Sequence, residues 1–435
     1  MPVVADPFKH ITLANQLVEN TLTGIVGDDL PDWVRTFRGK AFEGQQLVRR
    51  AEKISKRTPT RSRKLQGDYV WGGFIPTHPG HFVGEQAPRL LISAQQQPHA
   101  KALFVIQKSR RANITQDPSK LPSWFWDITS WYGLPPERIE FIDSPVMVEN
   151  LTIYPQAEFL PNGVPSEAYL EALDANWLAK GLDPIQSDIL YVSRGANALR
   201  YSGERYLEKL LRANGVTVIR PEDLASEYEK MQYFAGAKHI IFNTGSAVLF
   251  RNMLGRIPQK ITQLIRSPQS DQFLRESGYQ REALEPRVAE LDYIDLSRGF
   301  IVGPYSELKP PFPGRPPRKV AYRGVKPAPL ISKEKTIAYF ATQGIDLAGQ
   351  WDDRALGADE REFLLEFHKW CLDKYPNLDY LRITQNIRTS LDANMNGVTP
   401  SASITDVLVP LEELQYLGNT RKGNPFFGKL FSKRR

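Results

Sequence analysis

The 435-residue sequence is poor in cysteine: Cys371 stands alone, which excludes an intrachain disulfide and fits a reducing compartment, with the thiol read as a small core residue on an apolar helical face. Long apolar runs are also missing. No stretch approaches the roughly 18 residues of a spanning helix, and the first twenty residues lack a basic-then-apolar leader, so a cytoplasmic location is expected. There is no internal repeat and no Asp-x-Asp pair after a strand; Asp28-Asp29 and Asp352-Asp353 read as solvated turns. What is present is 41% hydrophobic and 11% aromatic residues, enough for two or three packed domains and too much for general disorder.

The net charge of +7 is unevenly held. Residues 49–64 carry eight Lys or Arg against Glu52, and residues 421–435 carry six with no acid. These segments account for +7 and +6, so everything else carries a net −6. The first reads as a solvated helix and loop, or as a surface for an anionic acceptor or phospholipid. The tail mixes its cations with Phe426, Phe427, Leu430 and Phe431, the composition of a segment that lies on an anionic membrane. No nucleic-acid-binding motif accompanies the charge, so no nucleic acid partner is expected.

The most telling stretch is 188–251. Apolar strands at 188–192, 216–219 and 239–242 alternate with helical spacing at 202–211 and 226–235, the pattern of parallel α/β units, whose ligands sit at the carboxyl ends of strands. Two small-residue turns fall at such ends: Ser193-Arg194-Gly195 and Asn243-Thr244-Gly245-Ser246. Arg194 offers a permanent cation with a planar donor fork, and a helix over 247–254 would add free N–H groups, both suited to a phosphate. The bland alternatives are a salt bridge for Arg194 and a plain strand-to-helix turn for Gly245-Ser246.

Upstream, His81 and Glu85 follow an aromatic strand at 69–74, and a helix over 80–92 would set them on one face. An imidazole oriented by a carboxylate is a candidate general base, against the alternative of a satisfied core histidine. His78 precedes Pro79 and reads as a loop residue, ranked below His81.

These two blocks together resemble glycosyltransferase family 61. The segment Gly80-His81-Phe82-Val83-Gly84-Glu85-Gln86-Ala87-Pro88-Arg89-Leu90 is similar to that family's His-aromatic-x-x-Glu-x-x-Pro-Arg block. The order Tyr191-Val192-Ser193-Arg194-Gly195, Arg200, 218–224, 237–241 and Gly245-Ser246-Ala247 looks like its donor-domain signature, and the likeness covers about residues 65–265. The resemblance implies an α/β GT-B-like fold, two Rossmann-like parallel-sheet domains facing a cleft, here with a C-terminal extension. It also implies inverting, metal-independent transfer from a nucleotide-sugar donor to a polysaccharide or glycolipid acceptor. On this reading His81 and Glu85 are catalytic, while Ser193, Arg194, Gly195, Glu222, Asn243, Thr244, Gly245 and Ser246 bind the donor, with no cofactor. The chain departs from the family pattern at Thr244, where His or Glu is usual, and at Leu249-Phe250, where an Asn-containing pair is usual. A hydroxyl at 244 cannot titrate.

The expected organisation is an acceptor-side domain over 1–181 and a donor domain over 182–303, with a hinge at 181–184. A proline-rich strap at 304–330 holds eight prolines, and a partly helical extension follows over 331–435. In the first domain strands are expected at 102–106, 139–142 and 146–153, a helix at 124–132, and a helix with Leu170, Leu173, Trp177 and Leu178 on one face. Phe363, Leu364, Phe367 and Trp370 repeat at helical spacing in the extension. Two other classes stay open: a catalytically silent nucleotide-sugar-binding or scaffold protein, and a basic membrane- or nucleic-acid-binding protein.

Overall fold

The computed structural model describes residues 3–4, 6–18, 62–76, 78–106, 118–158, 163–197, 200–243, 245–265, 281–301 and 328–374. Thr244, Asp28-Asp29, residues 49–61 of the first basic segment, 304–327 of the proline-rich stretch and the tail 421–435 lie outside them. The described residues form two compact units, one within 1–190, 223–263 and 272–293, the other within 191–222, 264–271 and 294–435. The fold is α/β and GT-B-like, with two parallel-rich five-stranded sheets.

The first unit opens with β1 (Val3–Val4), which pairs in parallel with β7 (Gly163–Val164). Its main sheet comprises β2 (Ile11–Val18), β3 (Arg63–Ile75), β4 (Lys101–Ile106), β5 (Ile139–Ile142) and β6 (Val146–Ile153), in the order β2-β6-β3-β4-β5. All neighbours run parallel except β2, an antiparallel edge strand beside β6. Tyr69 and Trp71 of β3 and Val146 and Val148 of β6, each pair two residues apart as the period of a strand requires, enter one apolar cluster, which Leu151 and Ile153 join beyond a change of phase in β6. The exposed positions that alternate irregularly along β2 explain why sequence periodicity does not reveal it. Arg63 and Lys64, read as part of a helix and loop, open β3 instead, and Arg63 pairs with Glu140 at 2.8 Å.

The helical reading of 80–92 is corrected. α1 (Pro79–Glu85) ends at Gln86, a 3-10 turn covers Ala87–Arg89, and α2 (Leu90–Gln96) resumes. Pro88 has no N–H to continue the ladder and disfavours helical backbone in the residue before it. Further on come α3 (Ser123–Trp131) and α4 (Glu167–Ala179). In α4 the buried face is Tyr169, Leu170 and Leu173, while Leu178, expected inside, is 65% exposed in the last turn.

The second sheet runs β12-β11-β10-β8-β9, from β8 (Ser187–Val192), β9 (Thr217–Ile219), β10 (Ala237–Asn243), β11 (Lys260–Leu264) and β12 (Glu290–Ile294). α5 (Glu204–Ala213) connects β8 to β9, and α6 (Glu227–Gly236), with Ser226 capping the Glu229 N–H, connects β9 to β10. α7 (Ala247–Arg251) follows β10 and passes into a 3-10 turn at Asn252–Leu254, so the helix expected over 247–254 is split. A short α8 (Arg281–Leu284) precedes β12. In the second unit β13 (Ser297–Ile301) pairs antiparallel with β14 (Ala328–Ile331), and α9 (Lys333–Thr342) and α10 (Asp353–Lys374) follow. Asp352 and Asp353, read as a solvated turn, are both exposed; Asp352 also caps α10 through Oδ1 to the Arg354 and Ala355 amides, and Asp353 pairs with Lys333 at 2.7 Å. Among the described residues no helix is long and apolar enough to cross a membrane.

Candidate functional site

In the first unit the sheet order reverses at β3, with β4 and β5 on one side and β6 and β2 on the other, and ligands of such sheets gather at the carboxyl ends of strands beside a reversal. The chain leaves that end of β3 directly into α1. His78 caps the helix, its Nδ1 accepting from the Gly80 N–H at 3.1 Å, and Pro79 takes the first helical position, where its missing N–H costs nothing. One turn on, His81 Nδ1 lies 2.6 Å from Glu85 Oε1. The Glu85 side chain is 9% exposed and that of His81 52%. An ionised carboxylate only accepts, so His81 Nδ1 is the donor in this pair, and in the neutral ring that tautomer leaves the lone pair on Nε2. That is the state of an imidazole able to take a proton from a hydroxyl.

Apolar packing holds α1 in place. Phe82 is fully buried, with ring contacts to Phe104, Trp124 and Phe125 at 6.1, 5.6 and 5.4 Å. On its other side α1 meets the turn that follows β10: a Cβ at Gly80 would overlap the Ser246 Cβ, so only glycine allows this approach. The helix of His81 and Glu85 and the Gly245-Ser246 turn are thus packed together within one unit. Asn243 is buried, whereas Gly245 and Ser246 are partly exposed, and the Ser246 hydroxyl makes no cap bond. α7 has five residues, too few for a strong dipole, so little anion stabilisation comes from its amides. Leu249 is 6% exposed and belongs to the core. Arg89, in the Pro-Arg step of the upstream block, is 4% exposed, and burial lowers its guanidinium to about 10.

In the second unit the Ser193-Arg194-Gly195 turn rests on two carboxylates of α5. Ser193 is 1% exposed; its hydroxyl lies 3.0 Å from Glu204 Oε1 and against Glu208 Oε1, its single hydrogen shared between the two carboxylates, and accepts from the Gly195 N–H at 2.8 Å. The Arg194 N–H also donates to Glu204 Oε1, at 2.8 Å. Glu208 is held by Arg220 at 2.6 Å and Arg212 at 3.3 Å. Burial alone would push its carboxyl up, but the bonds from Arg220 and Ser193 outweigh it and leave it below the usual range. A Cβ at Gly195 would overlap Glu208. Glu222 is exposed. None of the Arg194 guanidinium nitrogens donates to an acceptor among the described residues; burial lowers its pKa, and the charges of Glu204 and Glu222 partly offset this. Its neighbours differ: Arg200 and Arg205 bond Glu366, and Arg220 bonds Glu208.

The family model for glycosyltransferase 61 matches residues 80–250. The chain carries a glycosyltransferase 61 domain. The domain opens at α1 and closes within α7, so it takes in His81, Glu85, Arg194 and the 243–246 turn and leaves α9 and α10 outside. No curated protein matches the chain. Among the described residues, no group of three or more His, Cys, Asp or Glu side chains within the domain or beyond it could hold a metal ion. Glu204 and Glu208 were missed by the sequence reading, which took 202–211 for its apolar spacing alone. Sequence carries little signal for them: carboxylates four apart beside an apolar stripe ordinarily line its solvent edge, and the partners that bury these two, Ser193 and Arg220, lie outside the helix.

Proposed function

We propose that the chain is an inverting, metal-independent glycosyltransferase that moves a sugar from a nucleotide diphosphate to a hydroxyl of a polysaccharide or glycolipid. His81 Nε2, oriented through Nδ1 by Glu85, takes the proton of the acceptor hydroxyl as its oxygen bonds the anomeric carbon. The bond from that carbon to the β-phosphate oxygen breaks, and the diphosphate leaves with the electron pair. Arg194 stabilises the departing charge, a role for which a planar donor fork is suited. The observation that carries this reading is that the Arg194 donors are free of protein acceptors among the described residues, while Arg200, Arg205 and Arg220 are committed to carboxylates.

The other donor assignments differ in kind. Ser193 and Gly195 act by holding the turn, whereas Gly245 and Ser246 keep partly exposed atoms for a ligand. Glu222 and Asn243 stay proposed donor contacts. A catalytically silent binder is favoured by one observation, that Leu249 is packed in the core where the family pattern expects a polar pair. The proposed setting is cytoplasmic, with residues 421–435 touching an anionic membrane.

Calorimetry with a panel of nucleoside diphosphates tests the reading: Arg194→Ala weakens binding by about 1.5–3 kcal/mol, the range for a charge-assisted contact, with the fold unchanged. An unaltered affinity sinks the diphosphate assignment. Turnover separates an enzyme from a binder, since His81→Ala lowers it roughly 100-fold or more while donor binding stays near normal.

A further inference from the structure

We propose that α10, which lies beyond the glycosyltransferase 61 match, is a positioning element for the Ser193-Arg194-Gly195 turn and acts on it through Glu366 and Arg205. One face of α10 carries four of the contacts. Arg205 bridges the turn and α10: its Nε donates to the Gly195 carbonyl at 2.9 Å, its NH1 and NH2 donate to the two Glu366 oxygens at 2.9 and 3.2 Å, and NH1 also lies 3.2 Å from Glu362. Glu366 also accepts from Arg200 NH1 at 2.6 Å, and the Arg200 guanidinium, fully buried, lies 5.2 Å from the centre of the Phe363 ring. Glu360 accepts from the Ser202 hydroxyl at 3.2 Å and from Arg298 at 2.5 Å.

Asp359 completes the face by accepting the Tyr206 N–H at 3.1 Å. That amide belongs to the first turn of α5, whose own cap position is Gly203 and offers no side chain. The helix is therefore capped from outside, by α10. Gly203 has φ 72°, and a Cβ there would overlap Leu356 of α10, so glycine serves both the left-handed turn and the close approach. Phe363 and Phe367, both fully buried, anchor α10.

Arg205 thus fixes the carbonyl that follows Arg194 while α10 holds its fork, chiefly through the two bonds to Glu366, with the more exposed Glu362 adding an ion pair to NH1 at 3.2 Å. Arginine is suited to this because one planar group serves the carbonyl and the carboxylate at once, which a lysine ammonium on a flexible stem cannot do in the same geometry. The consequence for donor binding rests on the proposed role of Arg194; the clamp on the turn does not.

Hydrogen exchange of the amides at 193–197 in the full-length protein reads the clamp directly. Glu366→Gln and Arg205→Lys both speed exchange there by about tenfold or more, and the double variant goes little further than Arg205→Lys, because the two residues act in series. Asp353→Asn, at the far end of α10, leaves that exchange unchanged. Wild-type exchange in Glu366→Gln, or full additivity in the double variant, overturns the proposal. Inorganic pyrophosphate and uridine diphosphate binding are measured on the same proteins. Affinity in Glu366→Gln falls roughly 3- to 10-fold if the ordered turn presents Arg194 to the ligand. If exchange rises and Arg194→Ala binds both probes as wild type does, the clamp stands and the donor reading fails.

Discussion

Two small-residue turns follow parallel strands in this chain, and they are held by opposite means. The turn after β8 sits on Glu204 and Glu208, both almost fully buried, with its serine hydroxyl, two of its amides and the nearby Arg220 all engaged in hydrogen bonds. The turn after β10 is held by contact: Gly80 of α1 against Ser246, and Val248, Leu249 and Phe250 in the core behind it. A charge-built turn fixes backbone direction sharply but depends on protonation; a packed turn does not, and leaves its polar atoms available. The difference separates side chains that hold the scaffold from those that remain for a ligand. Ser193 is of the first kind, Ser246 and the Arg194 guanidinium of the second.

The largest expected effect at neutral pH breaks the charged turn. Glu208→Ala leaves Arg220 without its carboxylate and the Ser193 hydroxyl with Glu204 alone; removing one partner of a fully buried pair costs about 3–5 kcal/mol, and because Arg220 is 27% exposed the expected loss is lower, about 2–3 kcal/mol. Urea unfolding measures it. A loss below about 1 kcal/mol would mean that the Glu208 network is incidental and that the turn is held by its backbone alone.

Acid sharpens the comparison because the two regions titrate in different windows. On β10, His239 is buried beside Thr262, 2.9 Å away, and burial first, then the charge of Lys260, lowers its pKa from 6.5 to about 4. The unfolded chain binds a proton below pH 6.5 that the folded chain refuses until about pH 4. This stabilisation is therefore complete above pH 6.5 and is lost as pH falls toward 4, by up to about 3 kcal/mol. Glu208, whose folded pKa lies below its ordinary value of 4.5, contributes stability that is present above pH 4.5 and lost on further acidification. His239→Gln should flatten the slope between pH 6.5 and 4 and leave the lower one. An unchanged upper slope would mean that another group titrates there.

The sequence made the elements legible and left the polar wiring mostly hidden. Strands such as β6 and β10 are legible as short apolar, β-branched runs, most of whose side chains are buried, and Ser226 announced the start of α6. The His81–Glu85 pair was legible for the same reason, since four residues along a helix is a local distance. The continuous helix over 80–92 failed because the Ala87-Pro88 step outweighed apolar spacing. The clamp from α10 was illegible, since Glu366 and Arg205 are far apart in sequence and neither belongs to a local pattern. Gly80 against Ser246 is the same case: a glycine kept for a long-range contact looks in sequence like any other.

The smallest effect on stability is the most informative about function. Ser193→Ala and Ser246→Ala remove the same hydroxyl from the same kind of turn. Ser193→Ala removes one donor from the buried Glu204 and Glu208, which keep the Arg194 and Tyr201 amides and Arg220 respectively, and leaves the Gly195 N–H without its acceptor, so it costs about 1–2 kcal/mol. Ser246→Ala removes a hydroxyl with no partner among the described residues, so unfolding changes by less than about 0.5 kcal/mol, as at other surface positions. The two serines therefore separate in stability before any ligand is added. If Ser246 contacts the donor, nucleoside diphosphate affinity in Ser246→Ala falls by about 0.5–1.5 kcal/mol, one hydrogen bond's worth, with stability unmoved. Unchanged affinity in that variant confines ligand contact at this turn to the backbone of Gly245 and Ser246, and a large loss of stability would show that the packed turn depends on its hydroxyl after all.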